Sequence, residues 1–289
     1  MLWLILSLFA ALSTATNNLV QKLALNKYND YIVSWAVWFF SLPIIIITLF
    51  IVKIPNLNLL SIFLLFITGI LEMIAIILYV KAIKISGLAI TVPFLSFTPV
   101  FLTIISWIFL NEIPSLLGAS GIFLIFLGSY IIKTEGGFIS FQPIRSLFRD
   151  KGSIYMLIAA FLYAVVTPLY KILINQTKNP LAVSGLAIIS ICIVSTLYIM
   201  IRFKENPIRT ASKTNIWILL IIGTLSALMS LASFKAQSLT LNAYMISVKR
   251  LSIVFSIIYG YIFFKEKGII KNVVAALIMI FGTVLIAIG

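Results

Sequence analysis

Long apolar runs alternate with short polar intervals along the whole chain. At about twenty apolar residues per bilayer crossing, they predict membrane helices near Leu2–Val20, Ile32–Val52, Leu60–Val80, Leu88–Leu110 and Leu116–Ile132. A second set follows near Ser153–Ile174, Leu181–Ile201, Ile216–Phe234, Leu241–Phe264 and Ile269–Ile288. The longest polar interval, Lys133 to Gly152, separates the two sets. The predicted fold class is an all-α membrane protein of ten transmembrane helices, divided as 1–132, a connecting loop 133–152, and 153–289. Ser13 and Ala15 resemble a small-residue cleavage site, but no basic residue precedes the first run. That run reads as a retained helix rather than a secretory signal.

The second half repeats the first. Superposing Glu112 on Glu266 also places Lys81 on Lys235, Ala82 on Ala236, Phe101 on Phe255, Phe109 on Phe263 and Gly128 on Gly282. A slightly shorter register near the start of each half places Ala11 on Ala160, Lys22 on Lys171 and Leu23 on Ile172. Each half has an odd number of predicted crossings, so the second must enter from the opposite side. The result is two inverted five-helix repeats, an architecture that binds solutes between its halves near mid-membrane.

Composition sharpens the reading: 62% of residues are hydrophobic and 10% charged, which excludes a chain folded around one water-bounded core. The net charge of +14 comes from residues at the ends of apolar runs, a membrane pattern rather than a nucleic-acid one. Fifteen basic residues, among them Lys22, Lys84 and Arg202, fall in intervals on one side; Lys53, Lys171, Lys178 and Lys235 fall on the other. The positive-inside rule then puts both termini outside the cytoplasm. The chain has no His, and its single Cys192 lies in an apolar run, so neither an intrachain disulfide nor metal-site spacing is expected. No catalytic residue, metal site or cofactor is predicted, and without a glycine-rich lysine loop an ATP-driven pump is not expected either.

Lys249 and Arg250 are the basic residues that fall well inside an apolar run. A Lys or Arg at a helix centre costs about 2.5–3.5 kcal/mol on insertion scales, which implies a cavity or a partner. Glu72 is the one acid equally deep. Two positive charges against one negative leave a net positive charge for a ligand, and a guanidinium fork suits a carboxylate or phosphate. The alternative is structural pairing of these groups, or Glu72 as a proton or amine site. Polar and aromatic residues in other runs would complete a pocket: Asn17 and Asn18, Tyr79, and Tyr163 with Thr167, which share a helix face. Tyr244 and Ser247 are expected on a face leading toward Arg250, while Trp35, Trp38 and Tyr170 are further candidates. Pro93, Pro99 and Pro168 are expected to kink their helices. Glu112 and Glu266 each precede a helix, where an acid meets the positive end of the helix dipole, so both read as structural.

Pro99-Val-Phe, then Phe109-Leu-Asn-Glu-Ile-Pro-Ser, Gly118, Gly121 and Phe126-Leu-Gly128 resemble the repeat of EamA-type members of the drug/metabolite transporter superfamily. The second half keeps Phe263-Phe-Lys-Glu266 and Gly282, but has Asn272, Ala275 and Ile280 in place of Gly118, Gly121 and Phe126. Lys249-Arg250 is similar to the ninth-helix Lys-Arg of triose-phosphate/phosphate translocators and the Lys-Thr of nucleotide-sugar transporters. In those proteins the motif engages the substrate's phosphate, so the resemblance implies an anion-binding role here. The family resemblance also implies cytoplasmic termini, opposite to the loop charges.

The expected function is secondary active transport, by alternating access, of a small anionic or zwitterionic metabolite bound by Lys249, Arg250, Glu72, Tyr244, Asn17, Asn18, Tyr163, Thr167 and Tyr79. Alternatives are export of amino acids or cationic drugs through Glu72, an intramembrane enzyme, and a passive channel. The expected partners are a small-molecule substrate and the lipid bilayer, not nucleic acid. A proton or counter-substrate for coupling, and a second copy as homodimer partner, are open. With no presequence ahead of the first run, the expected location is a prokaryotic plasma membrane.

Overall fold

The computed structural model describes residues 1–132, 150–204, 206–212, 216–264 and 269–289, all helical or connecting, with no strand among them. The first half gives α1 (Leu2–Ala24), α2 (Asp30–Phe39), α3 (Leu42–Val52), α4 (Leu59–Thr91), a 3-10 stretch (Val92–Phe97), α5 (Thr98–Leu110) and α6 (Leu116–Ile132). The second gives α7 (Lys151–Thr177), α8 (Pro180–Phe203), α9 (Pro207–Ser212), α10 (Ile216–Gln237), α11 (Asn242–Lys249), α12 (Ser252–Phe264) and α13 (Ile269–Ile288). Six stretches among the described residues are long and apolar enough to cross a membrane, and shorter apolar helices accompany them. Most of the predicted connecting loop, and Glu266, lie outside the described residues.

Three predicted spans are interrupted. Pro43 opens α3 without an amide proton, and the run Ile32–Val52 breaks at Phe40 and Ser41, with the Ser41 hydroxyl donating to the Trp38 carbonyl at 2.6 Å. The Phe40 backbone at this break packs on Gly223 of α10, where no side chain could fit. The run Leu88–Leu110 passes through the 3-10 stretch before Pro99 starts α5. Leu241–Phe264 breaks after Lys249: amides of Arg250, Leu251 and Ile253 reach carbonyls three residues back, at 3.0 Å each. Pro168, by contrast, sits inside a continuous α7.

The most extensive pairings are α6 with α13, α4 with α7, and α1 with α10, so each joins an early helix to a late one. In the first pair Gly121 and Gly282 face each other; a Cβ on Gly282 would lie 2.7 Å from the Gly121 carbonyl oxygen. Small residues of this kind let membrane helices approach closely, where lipid supplies no hydrophobic drive for association. Large apolar residues such as Phe50, Phe63, Phe66, Leu116 and Trp217 are exposed on the outside and meet lipid.

Two expectations about charge are corrected. Lys171 is not a loop cation: α7 continues past it, it is 9% exposed, and its ammonium donates to the Gln237 carbonyl and, at 2.7 Å, to that of Thr240. Lys171 Nζ also lies 3.8 Å from Glu112 Oε1. Glu112 is structural, but it serves a different helix than expected. Its Oε2 accepts the Asn242 amide at 3.0 Å, at the N-terminus of α11. The following helix, α6, is held instead by Ser115, whose hydroxyl accepts the Gly118 amide at 3.0 Å.

Candidate functional site

The break after Lys249 faces a cavity of about 160 Å³ between α1, α4, α7, α10 and α11. Lys249, Arg250 and Glu72, the deep charges singled out from sequence, all line it. So do Asn17 and Asn18 of α1, Tyr79 of α4, and Tyr163 and Thr167 of α7. Residues far apart in sequence are thus brought to one place by the cross-pairing of early and late helices.

The polar groups are partly tied to protein. Tyr79 donates its hydroxyl to Asn18 Oδ1 at 2.7 Å. Asn17 Nδ2 donates to Ser226 Oγ at 2.7 Å, leaving Asn17 Oδ1 buried without a partner among the described residues. Thr167 donates back to the Tyr163 carbonyl at 2.6 Å, and the Thr167 carbonyl accepts Gln237 Nε2 at 2.7 Å. The cations are less satisfied. Arg250 is 8% exposed, and its Nε has no hydrogen-bond partner among the described residues. No ion pair within 4.0 Å among those residues involves Glu72, Lys249 or Arg250. At longer range the field of Lys249 acts on Glu72, and that of Arg250 on Tyr79 and Tyr163. A buried guanidinium with an open donor is costly, and the cost falls when an anion enters.

Tyr244 stands apart from this group. At about 100° per residue, Met245, Ile246, Lys249 and Arg250 form the face that lines the cavity, and Tyr244 points away from it. Its hydroxyl accepts the Ser115 amide at 3.0 Å and lies against Gly118. Trp35 is also directed elsewhere, donating its indole N–H to Thr196 at 2.8 Å. Trp38 and Tyr170 do line the cavity.

Sequence reading missed Thr14 and Gln21, which share with Asn17 an i, i+3, i+7 face of α1. It also missed Met229, Ser233 and Gln237, spaced by four on α10. Gln21 and Gln237 fell in predicted loops because the apolar runs end before the helices do.

The model of the EamA-like transporter family matches residues 1–134 and 150–288. No curated protein matches the chain. A solved structure titled "Crystal structure of protein" is 13% identical, with a TM-score of 0.67 over 96% of this chain and 98% of that one, a likeness of fold.

Proposed function

We propose that this chain, which belongs to the EamA-like transporter family, carries a small anionic or zwitterionic metabolite across a prokaryotic plasma membrane by secondary active, alternating-access transport. Membership already makes it an integral membrane transporter rather than an enzyme. The finer reading is of ten crossings in two inverted five-helix repeats, 1–132 and 153–289, joined by 133–152. The exchange of partners between halves, α1 with α10 and α4 with α7, supports it, since an inverted repeat interlocks in this reciprocal way.

One observation carries the substrate class: Lys249 and Arg250 line a cavity in which neither meets an acid at ion-pair distance among the described residues. Their positive charge is available to a carboxylate or phosphate, and Lys249-Arg250 plays the part of the ninth-helix anion motif. Asn17, Asn18, Tyr79, Tyr163 and Thr167 form the polar wall around the bound group. Glu72 lines the same cavity and likewise has no ion pair among the described residues, which favours a second reading in which it binds an amine. A zwitterion satisfies both, with its anionic end at Lys249 and Arg250 and its cationic end at Glu72.

The test is a thermal-stability screen of the purified protein against phosphorylated sugars, carboxylates, amino acids and organic cations, since ligands of the folded state raise its apparent stability. Anions or zwitterions should stabilise the wild type, and Lys249→Gln and Arg250→Gln should lose that response while remaining folded. Stabilisation by cations alone, unchanged in both variants and lost in Glu72→Gln, would overturn the anion reading in favour of the amine one.

A further inference from the structure

A smaller pocket of about 70 Å³ adjoins the main cavity behind Glu72 and Lys249. The two spaces share a neck that includes Trp38, Glu72, Ser233 and Lys249. Beyond the neck the small pocket is walled by Ala187, Ile188 and Ile191 of α8, each no more than 2% exposed, and by Ser230 of α10. Ser230 shares a 3.0 Å hydrogen bond with Ser184 of α8. Charge therefore sits at the entrance, and apolar surface lies behind it.

The neck holds two buried donors. Trp38 is 5% exposed and Ser233 6%, yet the indole N–H and the hydroxyl have no hydrogen-bond partner among the described residues. A buried donor without a partner is costly, and two of them bordering one opening are satisfied when a polar atom passes between the cavities.

We infer that the pocket behind Glu72 and Lys249 is the side-chain subsite of the carrier: a polar atom of the substrate's charged head rests against Trp38 and Ser233 at the neck, and its apolar body extends beyond them onto Ala187, Ile188 and Ile191. This rests on the transport reading above, but it adds what that reading lacks, a determinant of which metabolite is chosen. Size selection falls to Ala187, the smallest wall residue, and to Ile188 beside it. Each methylene buried there tightens binding about fourfold.

The experiment compares three probe series that differ in head group and grow in side chain: amino acids (glycine, alanine, leucine, phenylalanine), the matching carboxylates, and the matching primary amines. Dissociation constants are measured on the purified full chain. Wild-type affinity should rise about tenfold or more from the alanine to the leucine member of the series that binds. Ala187→Leu, which fills the pocket, should remove that rise. Ile188→Ala, which enlarges the pocket, should shift the optimum toward the phenylalanine member; its opposite sign separates occupancy of the pocket from damage to the fold. If carboxylates or amino acids bind with no dependence on side-chain size, or with both variants weakening every member alike, the subsite is overturned and the anion reading stands; if amines alone bind, without size dependence, both are overturned. If only amines bind, yet with the size dependence and its loss in Ala187→Leu, the subsite stands and the anion reading falls. Binding by no series overturns both.

Discussion

Lys171 Nζ and Glu112 Oε1 lie 3.8 Å apart where the loop after α5 meets the end of α10. Each group also holds a helix terminus. Lys171 donates to the Gln237 and Thr240 carbonyls at the C-terminal end of α10, and Glu112 accepts from the Asn242 amide at the start of α11. Cation at a C-terminus and anion at an N-terminus is the favourable arrangement for both helix dipoles. Asn242 extends the contact, receiving Gln237 Nε2 on its Oδ1 and donating to Ser106 of α5. Because Gln237 also lines the cavity, the cluster ties one end of the binding space to the framework.

Removing one member of this cluster leaves the other charged and nearly buried, since the two side chains are 11% and 12% exposed. Lys171→Met is expected to destabilise the folded protein by about 3 kcal/mol, read as a drop in the midpoint of unfolding in detergent. Adding Glu112→Leu to that variant should recover part of the loss. Strict additivity of the two substitutions would mean that the residues do not interact.

Tyr244 provides the converse case, a residue whose role is structural. Tyr244→Phe deletes the acceptor for the Ser115 amide and should cost about 1 kcal/mol. Ligand-induced stabilisation should equal that of the wild type, because the ring lies outside the cavity. A variant of normal stability with lost ligand response would place Tyr244 in the site after all.

These two residues also show what the sequence could and could not reveal. The long apolar runs read well because lipid demands them, and Glu72, Lys249 and Arg250 stood out because charge inside a run is expensive. Lys171 misled because it sits six residues before the end of α7, where a cation normally escapes to water; the bare carbonyls that hold it belong to a helix distant in sequence. Tyr244 misled because three-residue spacing gives a shared face but not which face turns inward. Hydropathy is equally blind to the breaks at Phe40 and after Lys249, which arise from backbone hydrogen bonding within runs that remain apolar.

Asp150 caps α7 and predicts a pH dependence outside the membrane spans. Burial raises its carboxyl pKa, but the hydroxyls of Ser86 and Ser153 and the amides of Ser153 and Gly152 outweigh that effect and bring it below the usual range. A lowered folded-state pKa contributes stability that is complete above the unfolded value of about 4 and is lost as pH falls through the folded one. Asp150→Ala should therefore lower the unfolding midpoint at pH 6, by about 1 kcal/mol for a lost N-cap, and the gap from wild type should narrow steadily toward pH 3. A gap that stays constant over this range would exclude the carboxylate as its source.

The pairing of α6 with α13 rests on the absence of side chains at Gly121 and Gly282. A Cβ on Gly121 would lie 2.5 Å from the Gly282 carbonyl oxygen, and one on Gly282 would lie 3.0 Å from Ile125 as well as 2.7 Å from the Gly121 oxygen. The nearest obstacle at each glycine is the other's backbone oxygen, so rotamer changes cannot relieve it and the helices must separate. Gly282→Val is expected to destabilise the protein by about 2 kcal/mol or more, as overpacking does in a close-packed interface. The cavity borders neither glycine, so whatever fraction folds should keep wild-type affinity for the ligand. Unfolding midpoint and dissociation constant, measured on the same preparation, separate the two effects. A variant as stable as wild type would show that the helix pair tolerates a wider spacing than its glycines imply.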